Sequence, residues 1–178
     1  TYKVSKIEGY PLAWDRRDME EALQAWTTHQ IGDWFEIGEW KFRFHRAGHI
    51  PGAVMIEIET PEMRVLWTGD MDTRASPNVL GALPVECDVL FLEGTYGNRV
   101  HPPRVEEEER LVNKVLEVVD RGGTALIPAF ASGRGQDVLR ILKREAPSLE
   151  AHYHGLGTRD TKLSQKQPTT DRTQTQPP

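Results

Sequence analysis

Three short apolar runs of this chain each end in a glycine-bounded turn that carries one polar side chain. Residues 47–52 read Ala-Gly-His-Ile-Pro-Gly, residues 67–70 read Trp-Thr-Gly-Asp, and residues 89–97 read Val-Leu-Phe-Leu-Glu-Gly-Thr-Tyr-Gly. Because strands fix the side chains at their ends and glycine leaves room for metal and substrate, this pattern indicates a hydrolytic metal site. The candidate residues are His49, Asp70 and Glu93.

The size and composition are those of an ordinary globular protein. The chain has 178 residues, of which 38% are hydrophobic, enough to bury one sizeable core and to form one domain plus part of a second domain. No apolar run approaches the roughly 20 residues of a membrane-spanning helix, so no membrane partner is expected. No secretory or transit leader is visible in the first residues, and Thr1 is interpreted as an internal cut. A single cysteine, Cys87, is expected to pack as a small apolar residue, and it favours a reducing, cytoplasmic location.

The net charge of -5 is unevenly distributed along the chain. Residues 1–100 carry ten Lys and Arg residues against sixteen Asp and Glu residues, whereas residues 101–178 carry twelve against eleven. The acidic part contains the three candidate residues. A polyanionic substrate would therefore have to be attracted by bound cations and by local Arg and Lys side chains.

The first hundred residues predict one helix followed by a sheet. Asp15 can cap a helix that continues to about Trp26, with apolar residues at helical spacing on one face: Met19, Ala22, Leu23 and Trp26. Short strands are predicted at Trp34–Ile37, Trp40–Arg46, Ala53–Glu59 and Arg64–Trp67, followed by a buried strand over Asp88–Glu93. In the third of these strands, alternating apolar residues predict a sheet with one buried face.

The later part predicts two helices and a further strand. A helix over Val105–Asp120 follows two prolines, and its Glu106–Glu109 run is expected to form a solvated first turn. Residues 122–131 predict a buried strand, and Ser132 is expected to cap a helix that runs to about Glu145. Such a strand, glycine-rich turn and helix can present backbone N–H groups to phosphate, although no P-loop fingerprint is present. The final residues, 162–178, lack an apolar core pattern and predict a disordered tail.

Four of these motifs, in this order, resemble the β-CASP nuclease branch of the metallo-β-lactamase superfamily. They are Ala-Gly-His, Thr-Gly-Asp, Glu-Gly-Thr-Tyr-Gly and Ile-Pro-Ala-Phe-Ala-Ser-Gly-Arg-Gly-Gln. The resemblance implies an α/β fold in which residues 1–100 are the later part of a metallo-β-lactamase αββα sandwich. Residues 101–161 would then form the opening strand and helix of a β-CASP domain.

The resemblance also implies roles for the three candidate residues. His49 would bind one zinc ion, and Asp70 would bridge two zinc ions that activate a shared water for attack on a phosphodiester. Glu93 would be the catalytic carboxylate that lies near the metals and orients a histidine from further along the chain. Simpler roles stay open for each: His49 or Asp70 could close a turn, and Glu93 could accept backbone N–H bonds.

The family's remaining metal-binding motifs do not occur in this sequence. A His-x-His-x-Asp-His motif is expected upstream of Thr1, and two later histidine motifs are expected downstream. Two protein ligands hold zinc poorly, so this chain is expected to be a fragment without self-sufficient nuclease chemistry.

The implied substrate is single-stranded RNA, cleaved endo- or exonucleolytically, with DNA as an open alternative. Two other hypotheses stay open: a catalytically inactive scaffold that binds RNA or a partner nuclease, and a small-molecule hydrolase of the same superfamily. Arg134 and Ser132 are candidates for nucleic-acid contact, and a homodimer is left open. Tyr96 is expected to pack, with base stacking as its alternative. The other histidines are expected to be structural or exposed, including both in a strand over His152–His154.

Overall fold

A computed structural model of the protein describes residues 14–155. Its elements are α1 (Arg16–Gln24), β1 (Trp34–Ile37), β2 (Trp40–Arg46), β3 (Val54–Glu59), β4 (Arg64–Trp67), β5 (Val89–Phe91), α2 (Arg104–Asp120) and α3 (Arg134–Glu145). The predicted α/β class, the three helices and the first four strands are confirmed within a residue or two. The predicted disordered tail lies outside the described residues. None of the helices in the described part is long and apolar enough to cross a membrane.

The five strands form one sheet in the order of the sequence, β1-β2-β3-β4-β5. Neighbours from β1 to β4 pair antiparallel, and β5 pairs parallel with β4. Two antiparallel steps separate β2 from β4, so β2, β4 and β5 all run in the same direction. The turns that follow these three strands therefore meet at one edge of the sheet.

Burial alternates along β3, as predicted. The more deeply buried face, however, is the one that contains Glu57, and not the face formed by Val54, Ile56 and Ile58. Met55 and Glu57 are 2% and 0% exposed, whereas Val54, Ile56 and Ile58 are only half-buried. Met55 belongs to a small core with Ala47, Leu66 and Ala82. Cys87 packs against this core, as expected.

Glu57 is buried because cationic side chains on both neighbouring strands surround its carboxylate. One oxygen, Oε2, lies 2.7 Å from Arg43 Nη2 and 2.6 Å from His45 Nε2, and the other, Oε1, lies 3.3 Å from Arg64 Nε. Burial raises the pKa of Glu57, but the hydrogen bonds and charges of His45 and Arg43 outweigh it and lower the pKa overall. The structural role expected for His45 is therefore confirmed.

The helices have a separate apolar cluster. Its buried members come from α2 and α3 and the residue that follows α3: Val112, Val115, Ile141, Leu142 and Ala146. Ala125 and Ile127 pack against it from the segment between the helices. In α2, Glu108 is not solvated as predicted, because Arg104 and Arg144 contact its carboxylate at 2.8 and 2.6 Å.

Two segments predicted as buried strands are largely exposed. Residues 123–130 are not assigned as a strand, and Leu126 and Phe130 in that segment are 93% and 83% exposed. A strand needs a hydrogen-bonded neighbour, and within residues 14–155 no strand pairs with this segment. The β5 strand does form, but Leu90 and Phe91 are 50% and 51% exposed because β5 is the last strand of the sheet.

The α1 helix is stabilised by its cap instead of by packing. Asp15 accepts hydrogen bonds from the backbone N–H groups of Arg17 and Asp18 at 2.7 and 3.1 Å, and its own N–H donates to the Asp18 side chain. This capping box confirms the predicted start of the helix. The predicted apolar face is exposed, with Trp26 just beyond the helix at 73%, because no described element packs on it.

We expect the substitution Glu57→Gln to lower the free energy of unfolding at neutral pH by about 1–3 kcal/mol, because two guanidinium groups lose their shared carboxylate. The pKa of Glu57 is lowered in the folded state from its ordinary value of 4.5. Its stabilisation is therefore complete above pH 4.5 and is lost as the pH falls below that value. The difference between the two proteins should shrink accordingly in urea titrations at decreasing pH.

Glu36→Gln is the matched control, since Glu36 lies exposed on β1 of the same sheet. We expect it to change stability by less than about 0.5 kcal/mol. A Glu57→Gln protein as stable as the control at neutral pH would show that the buried charge cluster contributes nothing.

Candidate metal and nucleic-acid site

His49 and Asp70 lie together at the edge of the sheet where β2 and β4 end. His49 Nε2 is 4.0 Å from Asp70 Oδ2, and the two side chains are 35% and 75% exposed. A divalent metal ion, with bonds of about 2.0–2.2 Å to nitrogen and oxygen, can touch both atoms at this separation. The structure thus brings together two side chains that are 21 positions apart in the sequence.

The turns that carry these two residues are joined through their backbones. Asp72 N donates to Ala47 O at 2.8 Å, and Ala82 N donates to Asp72 O at 2.9 Å. Gly48 sits at this junction with φ of +73°, and a Cβ there would lie 2.1 Å from Asp72 O. The space beside this glycine is therefore filled by the backbone of the neighbouring loop. The sequence pattern had predicted that this space was left for metal and substrate.

Glu93 connects β5 to the Asp70 turn. Its Oε1 accepts from Met71 N at 3.3 Å, and its Oε2 accepts from Thr95 N at 2.9 Å. These hydrogen bonds lower the pKa of Glu93, and the bond from the Thr95 backbone N–H has the largest effect. The nearby charge of His49 adds a smaller lowering. The Glu93 carboxylate thus binds the backbone of Met71, the residue that follows Asp70. The predicted role of Glu93 in orienting a later histidine stays a prediction.

Thr68 is a site-supporting residue that the sequence did not single out. It is 2% exposed, and its Oγ1 accepts from Glu93 N at 3.2 Å and donates to Gly69 O at 2.9 Å. Its backbone N–H also donates to Phe91 O at 3.0 Å. Thr68 therefore joins the ends of β4 and β5 just before the two candidate carboxylates.

The three candidate residues line one open cavity of about 1050 Å³. The walls also contain cationic, hydroxyl and aromatic side chains: Arg74, Arg134, Ser132, Tyr96, His101 and Phe130. Tyr96 is 55% exposed and meets His101 edge-on at 4.8 Å between ring centroids. Tyr96 therefore packs on His101, as expected, but it does so in a loop beside the cavity with about half of its surface exposed.

The start of α3 differs by one residue from the prediction. Gly133 is the N-cap residue with φ of +82°, and Ser132 makes no side-chain capping bond. The positive φ of Gly133 turns the chain one residue later than expected, so Ser132 lines the cavity instead. Arg134, the first residue of α3, also lines the cavity, with its Nη1 3.6 Å from Asp137 Oδ2.

The remaining histidines are distributed as expected, with one exception. His29 stacks on Phe35 with ring centroids 3.7 Å apart. His152 and His154 are exposed, although the segment that contains them is not assigned as a strand because it has no pairing neighbour among the described residues. The exception is this missing strand, while His101 is exposed in a loop, as expected, and also lines the cavity.

The donor chemistry fits a zinc-type ion, but the donor count is low. An imidazole nitrogen and a carboxylate oxygen are common zinc ligands, and a catalytic zinc usually has three protein ligands. Within residues 14–155, no group of three or more His, Cys, Asp or Glu side chains is close enough to hold a metal ion. His49 and Asp70 are therefore a pair of donors without a third among the described residues, and metal binding by them stays a prediction.

Comparison with known proteins identifies the class to which this arrangement belongs. No family model matches the chain. It is 38% identical over 143 residues to cleavage and polyadenylation specificity factor subunit 3 of Dictyostelium discoideum, covering 79% of this chain and 18% of that protein. It is 35% identical over 131 residues to endoribonuclease YSH1 of Mycosarcoma maydis, covering 70% and 15%. It is 31% identical over 166 residues to the probable RNase MJ4 of Methanocaldococcus jannaschii, covering 90% and 39%.

The mixed α/β fold and these relatives point to the metallo-β-lactamase class. The chain is similar to ribonucleases of the β-CASP branch of that superfamily over 70% to 90% of its own length. The resemblance seen in the sequence motifs is thereby confirmed. The chain spans between 15% and 39% of the length of these three relatives.

We expect Gly48→Ala to be much more destabilising than Gly52→Ala. Both glycines have positive φ, +73° and +86°, but a Cβ meets backbone atoms at residue 48 and open space at residue 52. Gly52→Ala should cost about 1–2 kcal/mol of backbone strain. Gly48→Ala should cost about 1–3 kcal/mol more, because the Asp72 carbonyl must move. Urea unfolding of both variants measures the difference, and equal costs would contradict the packing role of Gly48.

Proposed function

We propose that this chain supplies one zinc-binding histidine and the metal-bridging aspartate of a two-zinc site that hydrolyses phosphodiester bonds of RNA. The observation that carries the proposal is the 4.0 Å approach of His49 Nε2 to Asp70 Oδ2 within a cavity that also contains Arg74 and Arg134. Two of the relatives are named an endoribonuclease and a probable RNase, which supports RNA as the substrate. Single-stranded RNA fits because the cavity offers exposed aromatic and cationic side chains.

The zinc ions would supply an activated water and neutralise charge on the reacting phosphodiester. His49 would hold one ion through Nε2, and Asp70 would contact both through its carboxylate. Glu93 keeps the Asp70 turn in place through the Met71 N–H, so its role is to position the bridging carboxylate. The ligands that complete the site would come from residues other than the described ones.

The domain division that we propose follows the two apolar clusters. Residues 1–100 would be the later part of a metallo-β-lactamase domain, and residues 101–161 the opening segment of a β-CASP domain. In support, one cluster contains only residues before 100 and the other only residues after it. The cavity lies where the two meet, since both segments contribute to its walls.

The test uses the protein expressed from the complete coding sequence that contains this chain. We expect His49→Ala and Asp70→Ala to lower the zinc content per protein, because each removes a ligand. RNA cleavage should fall by about 100-fold or more, because the metals no longer neutralise the phosphodiester. Zinc is measured by elemental analysis, and cleavage by gel electrophoresis of a labelled single-stranded RNA.

His152→Ala is the control, since His152 is an exposed histidine outside the cavity with a side chain 72% accessible. It should retain both zinc and cleavage. Wild-type zinc content and cleavage in the His49→Ala and Asp70→Ala proteins would refute the proposed site. Zinc-free wild-type protein that binds RNA without cutting it would instead support the scaffold hypothesis.

A further inference from the structure

Arg74 lies on one wall of the cavity in a fixed orientation. It follows Asp70 by four positions, and its Nε and Nη2 each lie 3.1 Å from a different oxygen of Asp72. Its backbone N–H donates to Asp72 Oδ1 at 2.9 Å. A guanidinium has five N–H donors, so a fork with one carboxylate leaves donors for a second anion. The Arg74 side chain is 43% exposed, and the residue lines the cavity.

Arg134, the first residue of α3, lines the same cavity as Arg74. Its side chain is 37% exposed, and its ion pair with Asp137 spans 3.6 Å. Both guanidinium groups therefore belong to the wall of one cavity.

Asp137 holds the two walls together. It is 5% exposed, and its Oδ1 accepts from Asn78 Nδ2 at 2.6 Å and from Ser76 Oγ at 3.2 Å. Its other oxygen, Oδ2, lies 3.6 Å from the guanidinium groups of both Arg104 and Arg134. The loop that carries Arg74 is thus bonded directly to the helix that carries Arg134. The positions of Arg74 and Arg134 are therefore linked through Asp137 in the absence of a ligand.

We infer that Arg74 and Arg134 together bind a phosphate group of the RNA strand next to the His49–Asp70 site. This inference rests on the proposed function, because it specifies how the same cavity binds its substrate. The fixed carboxylate partners keep each guanidinium in place and still charged, and planar guanidinium donors match phosphate oxygens. The acidic first hundred residues offer no general attraction for a polyanion, so the local pair supplies it.

The test measures binding of a fluorescein-labelled oligouridylate of about 12 nucleotides to the 178-residue chain by fluorescence anisotropy. EDTA is present throughout, so that binding is independent of metal. For wild type and variants, the association constant is measured at several salt concentrations between about 50 and 200 mM. Each lost contact to a single-strand phosphate reduces the slope of log K against log salt by about 0.7.

We expect Arg74→Gln and Arg134→Gln each to reduce the magnitude of that slope by about 0.7, and the double variant by about 1.4. Arg134→Lys should keep the wild-type slope while binding about 3-fold to 10-fold more weakly, because it keeps the charge but loses the planar fork. A merely structural role would weaken binding without this dependence on charge. Urea midpoints show whether each variant is folded. Arg134→Gln is the decisive variant, because the ion pair that it removes, with Asp137, is long at 3.6 Å and contributes little to stability.

Arg110→Gln is the matched control. Arg110 is 77% exposed on α2 outside the cavity, and it pairs with Glu107 three residues away, as Arg134 pairs with Asp137. The charge change is the same, and the slope should stay at its wild-type value. Unchanged slopes in Arg74→Gln and Arg134→Gln, an equal loss in Arg110→Gln, or no binding by the wild-type chain would overturn the inference.

Failure of this inference is distinguishable from failure of the proposed function. The slopes are measured in EDTA, so they do not depend on the metal site that His49→Ala tests in the complete protein. If the arginine variants keep the wild-type slope while His49→Ala loses zinc in the complete protein, only the two-arginine site is wrong. If the arginine variants change the slope while His49→Ala keeps zinc and cleavage, the metal assignment is wrong.

Discussion

The backbone junction between the His49 turn and the Asp70 loop is the constraint on which the site depends. Parallel directions of β2, β4 and β5 bring three turns to one sheet edge, but they do not by themselves set the turns at contact distance. The hydrogen bond from Asp72 N to Ala47 O does so, and it requires a residue without Cβ at position 48. The 4.0 Å approach of His49 to Asp70 follows from this junction.

Two buried carboxylates, Glu57 and Asp137, connect the remaining elements around the site. Glu57, 0% exposed, collects cationic side chains from both neighbouring strands, and Asp137, 5% exposed, joins the loop after Asp70 to the first turn of α3. Each charge is costly to bury unless it is paired. Because their partners come from different elements, these two carboxylates specify how the elements are arranged, and Asp137 carries that arrangement into the wall of the cavity.

The similarity to β-CASP ribonucleases explains why the chain contains only two of the expected metal donors. Two donors among the described residues are too few for a catalytic zinc, while the relatives that the chain matches extend well beyond it. The cavity walls come from both the sheet-edge turns and the segment before α3, so the candidate metal ligands and the arginines face one space. A polyanionic substrate requires such a combination, because it needs charge neutralisation at the reacting bond and beside it.

The sequence by itself determined the helices, the first four strands, the Asp15 cap and the motifs that bring His49, Asp70 and Glu93 to attention, because hydrogen-bonding periodicity and capping depend on near neighbours in the chain. Only the tertiary structure decided that Glu57 is buried, that Gly48 faces a backbone and not a ligand, and that Arg74, Thr68 and Asp137 support the site. Residues 122–131 and β5 show the same division, since their apolar composition predicted burial and their exposure depends on which elements lie beside them. Burial and contact are set by residues distant in sequence, and a local pattern contains no information about which of those come near.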